Sequence, residues 1–191
     1  MATKEFNIID KFISWMRLGK VLPFVKHGDT VLDFGCGYQA YLLKHIKNRI
    51  KKGIGLDRDS ESKNIAPNCE IRKYHFTDRL PFTDKIFDTI FLLAVLEHVE
   101  PPHASKLMRE SKRILKAQGK VVLTTPTKWG KVILEFLAFK LGIISKEEVM
   151  DHKKYYGKKD LEILAKNTGF VVTQYKTFQL GGNSLCVLIK K

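Results

Sequence analysis

Apolar positions along this chain change their period several times, and each change marks a predicted element. Over residues 4–17, Phe6, Ile9, Phe12, Ile13 and Met16 recur at helical spacing, while Lys4, Asp10, Lys11 and Arg17 lie away from that face. Ile8 and Trp15 fall off the stripe, where they can pack on a neighbour, line an entrance or touch a membrane. Gly19, Pro23 and the Gly28-Asp29 turn then lead into a β-branched and aromatic run at 30–34. That run breaks at Gly35 and Gly37, a periodic segment (Ala40, Leu42, Leu43, Ile46) follows, and a second strand-like run ends on Asp57.

Strand patterns recur at 70–75, 87–93 and 121–125, the last stopped by Pro126. Pro101-Pro102 ends the segment after the fourth strand. Residues 104–115 read as a helix with Leu107, Met108, Ile114 and Leu115 inward, closed by Gly119. Residues 131–144 are strongly apolar, but Lys131, Glu135 and Lys140 do not share a face; the stretch is too short to span a bilayer and reads as a cap over the sheet. A helix at 160–168 stops at Gly169, and runs at 170–178 and 184–189 flank L-G-G-N as an antiparallel hairpin. Strands alternating with helices predict an α/β, doubly wound, Rossmann-like sheet, mostly parallel with an antiparallel end. One domain over 1–191 is expected: a helical segment at 1–27, a core at 28–126, the apolar cap at 127–157, and a helix with a strand pair at 158–191.

The first βαβ unit carries the most specific chemistry. Glycines at 35 and 37 let the backbone approach a ligand that a Cβ would repel, and Asp57, twenty residues after Gly37, is placed to meet a ribose diol. A nucleoside-containing cofactor is expected. G-C-G-Y-Q-A at 35–40 also fits the loose dinucleotide fingerprint, so a nicotinamide enzyme competes. Asp33, at the mouth of the first strand, argues against it: a carboxylate repels a pyrophosphate and attracts a cationic, ammonium-bearing cofactor.

Charge widens the choice of partner. Lys and Arg number 34 against 20 Asp and Glu, a net charge of +14, which suits RNA, an anionic membrane surface or a phosphorylated substrate. The basic residues come in scattered pairs such as Lys153-Lys154 and Lys158-Lys159 rather than in a tract, so a solubilising surface explains them equally well. Three cysteines (Cys36, Cys69, Cys186) have no metal-like spacing and read as free thiols. With no leader-like start and no apolar run of transmembrane length, a cytoplasmic protein, peripheral to membranes at most, is expected.

Five blocks in register complete the picture: V-L-D-F-G-C-G at 31–37, G-L-D at 55–57, L-P-F at 80–82 with Phe87-Asp88, V-L-E-H-V at 95–99, and R-I-L-K-A-Q-G at 113–119 before V-L-T-T-P at 122–126. In these the chain resembles the class I S-adenosylmethionine-dependent methyltransferases, the small single-domain subgroup with L-P-F and L-E-H-V blocks. The resemblance implies a seven-stranded sheet with a reversed last strand and S-adenosyl-L-methionine as cofactor. It implies that Gly35, Cys36 and Gly37 pass under the methionine portion, Asp33 holds the amino group, Asp57 takes the ribose hydroxyls, Arg58 borders the adenine, and Leu93 and Val95 flank the ligand. Leu93 and Val95 are equally readable as core. Gln39 stands where the family often has a further glycine. Phe76 stands where an acid usually reads the adenine amino group, so Phe76 stacks on the base or Asp78 replaces the acid.

For an in-line methyl transfer the protein orients and desolvates, and a hydroxyl acceptor also needs a base. His98 and His152 are the candidates, with Tyr155 or Tyr156 binding substrate; His27, His45, His75 and His103 have no supporting context. No Cys/His grouping suggests a metal. The expected acceptor is a small molecule, lipid or glycan intermediate, with the apolar cap shaping its pocket. RNA or protein methylation is the alternative, and a non-catalytic cofactor-binding regulator the third reading.

Overall fold

The computed structural model describes residues 8–140 and 146–191, with backbone alone at 8–13, 139, 147 and 148. Phe6 and residues 141–145 of the predicted cap lie outside the described residues. Helix α1 (Ile8–Val21) runs through a short 3-10 turn (Leu22–Phe24) to β1 (Thr30–Phe34), then α2 (Tyr41–Ile46) and β2 (Lys52–Asp57). Strands β3 (Lys63–Ala66), β4 (Cys69–Lys73) and β5 (Phe87–Leu93) follow, and α3 (Pro101–Ile114) leads into β6 (Leu115–Pro126). Helix α4 (Lys128–Glu135) widens into a π-type turn (Phe136–Lys140); α5 (Lys146–Met150), α6 (Lys158–Thr168), β7 (Phe170–Phe178) and β8 (Asn183–Lys190) complete the described chain.

The sheet runs β3-β4-β2-β1-β5-β6-β8-β7. Strands β4, β2, β1, β5 and β6 are parallel, while β8 runs antiparallel to both β6 and β7. The doubly wound sheet with a reversed final strand is therefore as expected, but among the described residues it has eight strands rather than seven. The additional one, β3, pairs antiparallel with β4 at the edge, where Lys63 and Asn64 are exposed. An exposed edge strand needs no apolar alternation, so it left no periodic signal.

Side chains alternate across the sheet with the period of two that strands impose. Leu32, Ile90, Leu92, Val121 and Leu123 join the core under α3 and α6. Val31, Phe91 and Val122 join the core under α1 and α2. Pro101 and Pro102 do not end a segment; they open α3, where a missing N–H costs nothing and the fixed φ suits the first turn. Gly119 lies within β6 rather than closing the helix before it. Two of the five blocks turn out to be one bolt: Arg113 donates to the carbonyls of Leu80 (3.1 Å) and Phe82 (2.8 Å) and pairs with Glu110, whose Oε2 accepts from the Leu80 N–H at 2.8 Å.

Strand order reverses around β1, which has β2 on one side and β5 on the other. In such sheets the crevice opens beyond the carboxyl ends of the strands at that point. Helix α4 is fixed nearby by its N-cap. The Thr127 hydroxyl accepts from the Gly130 N–H at 2.9 Å and donates to the Gly181 carbonyl at 2.7 Å, joining the helix to the β7–β8 turn. A Cβ at Gly130 would sit 1.9 Å from the Gly182 carbonyl oxygen, a contact between backbones that neither side can relieve by rotating a side chain. Gly130→Ala is expected to lower unfolding free energy by roughly 1–3 kcal/mol. Gly19→Ala, inside α1 with nothing near the added methyl, should be neutral or slightly stabilising. Paired urea denaturation curves test this, and equal stabilities would contradict the close approach.

Candidate functional site

The turn after β1 is shaped by three backbone donors. The N–H groups of Gly35 (2.7 Å) and Cys36 (3.2 Å) both reach the Leu56 carbonyl, and the Gly37 N–H donates to Asp57 Oδ2 at 3.0 Å. The end of β2 thus holds the loop that follows β1. Gly35 (φ +74°) and Gly37 (φ +65°) are in the left-handed region, yet for different purposes. A Cβ on Gly35 would strike Val95 Cγ2 at 2.5 Å, so that glycine is needed for packing. A Cβ on Gly37 would meet nothing within 4 Å: it would project into the open crevice.

A cleft of about 250 Å³ lies against this turn, lined by Asp33, residues 35–39, Leu93 and Ala94 on the sheet side and by Ser14, Arg17 and Leu18 of α1. Asp33 is 3% exposed, and burial, reinforced by the charge of Asp57, pushes its carboxyl up to about 7. Burial also raises the Cys36 thiol, which argues against a thiolate in the turn. Val95 packs in the core against Gly35, whereas Leu93 reaches the cleft. Arg17 was expected on the solvent side of α1; instead it lines the cleft, its buried Nε has no hydrogen-bond partner among the described residues, and burial lowers its pKa against the opposing pull of Glu97.

Asp57 is heavily engaged. Its Oδ1 accepts from the N–H of Asp59 (3.0 Å), the N–H of Ser60 (2.9 Å) and the hydroxyl of Ser60 (2.7 Å). Among the described residues its Oδ2 accepts only from Gly37, which leaves that oxygen one lone pair. Arg58 is turned outward in an exposed pair with Asp59. Phe76 stands edge-on to Phe34 at the tip of β1, ring centroids 6.0 Å apart. Asp78 is on the surface, paired with Lys106 of α3, so of the two adenine-side candidates only Phe76 is held next to the strand tips.

Beyond the carboxyl end of β5 the chain brings together residues that are distant in sequence. The backbone N–H groups of Lys153 (2.6 Å) and Lys154 (3.3 Å) donate to the Glu97 carbonyl, fixing the 151–156 segment against the 3-10 turn Leu96–His98. His98 Nδ1 is 3.1 Å from Asp151 Oδ2, His152 Nδ1 is 2.8 Å from the Tyr155 hydroxyl, and the two imidazoles meet edge to face at 4.7 Å. Tyr155 is half-buried beside them. Tyr156 points into the core, 2% exposed, under the Lys154 ammonium, and burial pushes its phenol up to about 12. Glu97, not singled out from the sequence, is fully buried in this corner, and burial raises its carboxyl.

The chain is similar in sequence and in fold to known proteins. A methyltransferase-domain family profile matches residues 12–175. The chain is 29% identical over 168 residues to an uncharacterized protein of Methanocaldococcus jannaschii, covering 78% of this chain and 64% of that one. It is 31% identical over 133 residues to a tRNA U34 carboxymethyltransferase of Nautilia profundicola, covering 63% of this chain and 44% of that one. The chain therefore matches less than two thirds of the length of these curated relatives. Among solved structures, the PH0226 protein of Pyrococcus horikoshii shares the fold at a TM-score of 0.70 and 22% identity, covering 98% of this chain and 94% of that one. With the profile spanning most of its length and the glycine turn, paired acids and reversed last strand in place, the chain belongs to the methyltransferase-domain family.

Proposed function

We propose that this protein transfers a methyl group from S-adenosyl-L-methionine to RNA. The observation that carries the cofactor half is the Asp33–Gly37–Asp57 arrangement at the crevice. Residues 35–37, where Gly37 leaves open space, would carry the methionine portion. Asp33 would hold its ammonium and the Arg17 guanidinium, which lines the same cleft, its carboxylate. The remaining lone pair on Asp57 Oδ2 takes one ribose hydroxyl, while Phe76 offers its ring to the adenine and Leu93 flanks the ligand. Arg58, at the exposed rim, is free to swing from Asp59 toward the base.

The bound donor would supply a methyl group for in-line transfer to the acceptor and leave as the neutral thioether, and the corner of Glu97, His98 and His152 would take the acceptor's proton. Aligning the reactants in a water-poor cleft supplies most of the acceleration. Tyr155 steadies His152 at 2.8 Å and borders the acceptor path.

RNA is favoured by two observations. Lys128, Lys131, Lys153 and Lys154 gather around the 152–155 segment and the start of α4, and although each has an acidic or aromatic neighbour, the chain as a whole remains at +14. The Nautilia relative is named as a tRNA enzyme. A small organic acceptor is the second reading, favoured by the apolar cap: Trp129, Val132 and Phe136 present exposed apolar surface on α4 and the turn after it. No corresponding observation favours a lipid or a glycan.

Two outcomes are expected. In calorimetry, affinity for S-adenosylmethionine should peak near about pH 7–8, because an α-amino group loses its proton near 7.7–8.0. Asp33 is neutral below about 7 and ionised above it, so binding weakens as pH falls through that value and the ammonium loses its partner. Asp33→Asn should bind weakly and without the acidic limb; an unchanged profile would contradict the ammonium assignment. In the second test, purified enzyme and radiolabelled donor are incubated with fractionated cell extract, with label expected in ribonuclease-sensitive material. Label confined to small molecules, lipid or protein would overturn the RNA reading.

A further inference from the structure

We propose that Glu97, His98 and His152 form a divalent metal site of the zinc or manganese class beside the donor cleft. Among the described residues one potential ligand atom from each of the three lies within 4.8 Å of the others. Two imidazoles and a carboxylate suit borderline ions such as Zn²⁺, Mn²⁺ or Fe²⁺, and leave coordination positions open for a substrate oxygen. The residues are separated by up to 55 positions in the chain, so no local motif announces them. They meet because the Glu97 carbonyl accepts from Lys153 and Lys154.

A second observation points to a ligand. Glu97 is 1% exposed, and among the described residues its Oε2 has no hydrogen-bond partner. A buried carboxylate oxygen left unpaired costs folding energy, and a bound ion would satisfy it. Around the cluster stands the support that metal-bound histidines require. A carboxylate only accepts, so the 3.1 Å contact of Asp151 with His98 Nδ1 puts a proton on that nitrogen and makes Nε2 the atom that would meet an ion. The Tyr155 hydroxyl, which can donate or accept, lies 2.8 Å from His152 Nδ1 and orients that ring. Partners of this kind orient metal-binding histidines, and a carboxylate also fixes the tautomer.

An ion bound at about 2.1 Å from each ligand would draw the three atoms to roughly 3–3.5 Å of one another, a movement that side-chain rotation supplies. Leu93 and Ala94, which line the donor cleft, lead directly into the Leu96–His98 turn, so the ion would stand beside that cleft. There it would lower the pKa of an acceptor hydroxyl bound to it, whose proton would then leave to solvent; with the ion bound, the histidines would hold it in place of the proton-accepting role they have without it. That role rests on the methyltransferase reading; the site itself does not.

The test is calorimetric titration of the metal-stripped full chain with MnCl₂ and, separately, ZnCl₂. One ion per chain is expected, with affinity reduced more than about a hundredfold in His98→Ala and in His152→Ala and about tenfold in Tyr155→Phe. Co²⁺ should give a visible d–d spectrum that both alanine variants lose. Circular dichroism confirms that the variants, altered at partly exposed positions, remain folded. Failure of the wild type to bind either ion below about 1 mM, or equal affinity in the histidine variants, would overturn the site. A parallel titration with S-adenosylhomocysteine in the absence of metal separates the two claims: donor-product binding without ion binding removes the metal site and leaves the methyltransferase reading standing.

Discussion

The Asp57 carboxylate is the tie on which the cleft depends. It accepts from Gly37 across the gap between β2 and the turn after β1, and it closes its own turn through Asp59 and Ser60. Hydrogen bonds to a charged acceptor are the stronger kind, worth about 1.5–3 kcal/mol each. Without them two consecutive strand tips would each end in a loop free to choose its path. With them, the Gly35–Gly37 backbone is held open beside a second acid, Asp33, whose burial makes an approaching cation welcome.

That arrangement depends in turn on the sheet. Parallel pairing of β1 with both β2 and β5 brings the tips of three strands to one edge, and the left-handed Gly35 lets Val95 press against the loop from the β5 side. The Arg113–Glu110 bolt fixes the L-P-F loop, and the bonds from Lys153 and Lys154 to Glu97 fix the 151–156 segment. The site is thus built on strand ends, with one long segment brought to it by backbone hydrogen bonds.

Much of this was legible in the sequence because it is local. The run at 30–37 shows its strand by composition and its turn by two glycines, and Asp57 follows at the spacing a βαβ unit imposes. Gly169, in the left-handed region at φ +78°, ends α6 as its position promised, and β7 runs over the residues its apolar pattern marked. What could not be read was decided by tertiary contact. Strand β3 is an exposed edge without apolar periodicity. Arg17 has the spacing of a solvated charge and becomes a cleft residue only because α1 lies over the strand tips. Glu97 looked like the unremarkable half of a Glu-His pair until the chain closed around it, and nothing in the pattern of Tyr155-Tyr156 tells which ring turns inward.

The central claim is that the Asp33–Gly37–Asp57 crevice holds an adenosyl donor. A crystal structure of the protein grown with S-adenosylhomocysteine tests it most directly. The account predicts the amino-acid portion over residues 35–37 with its ammonium at Asp33, one ribose hydroxyl on Asp57 Oδ2, and the adenine beside Phe76. Density for the ligand at another place, or a crevice left empty at saturating ligand, would contradict it.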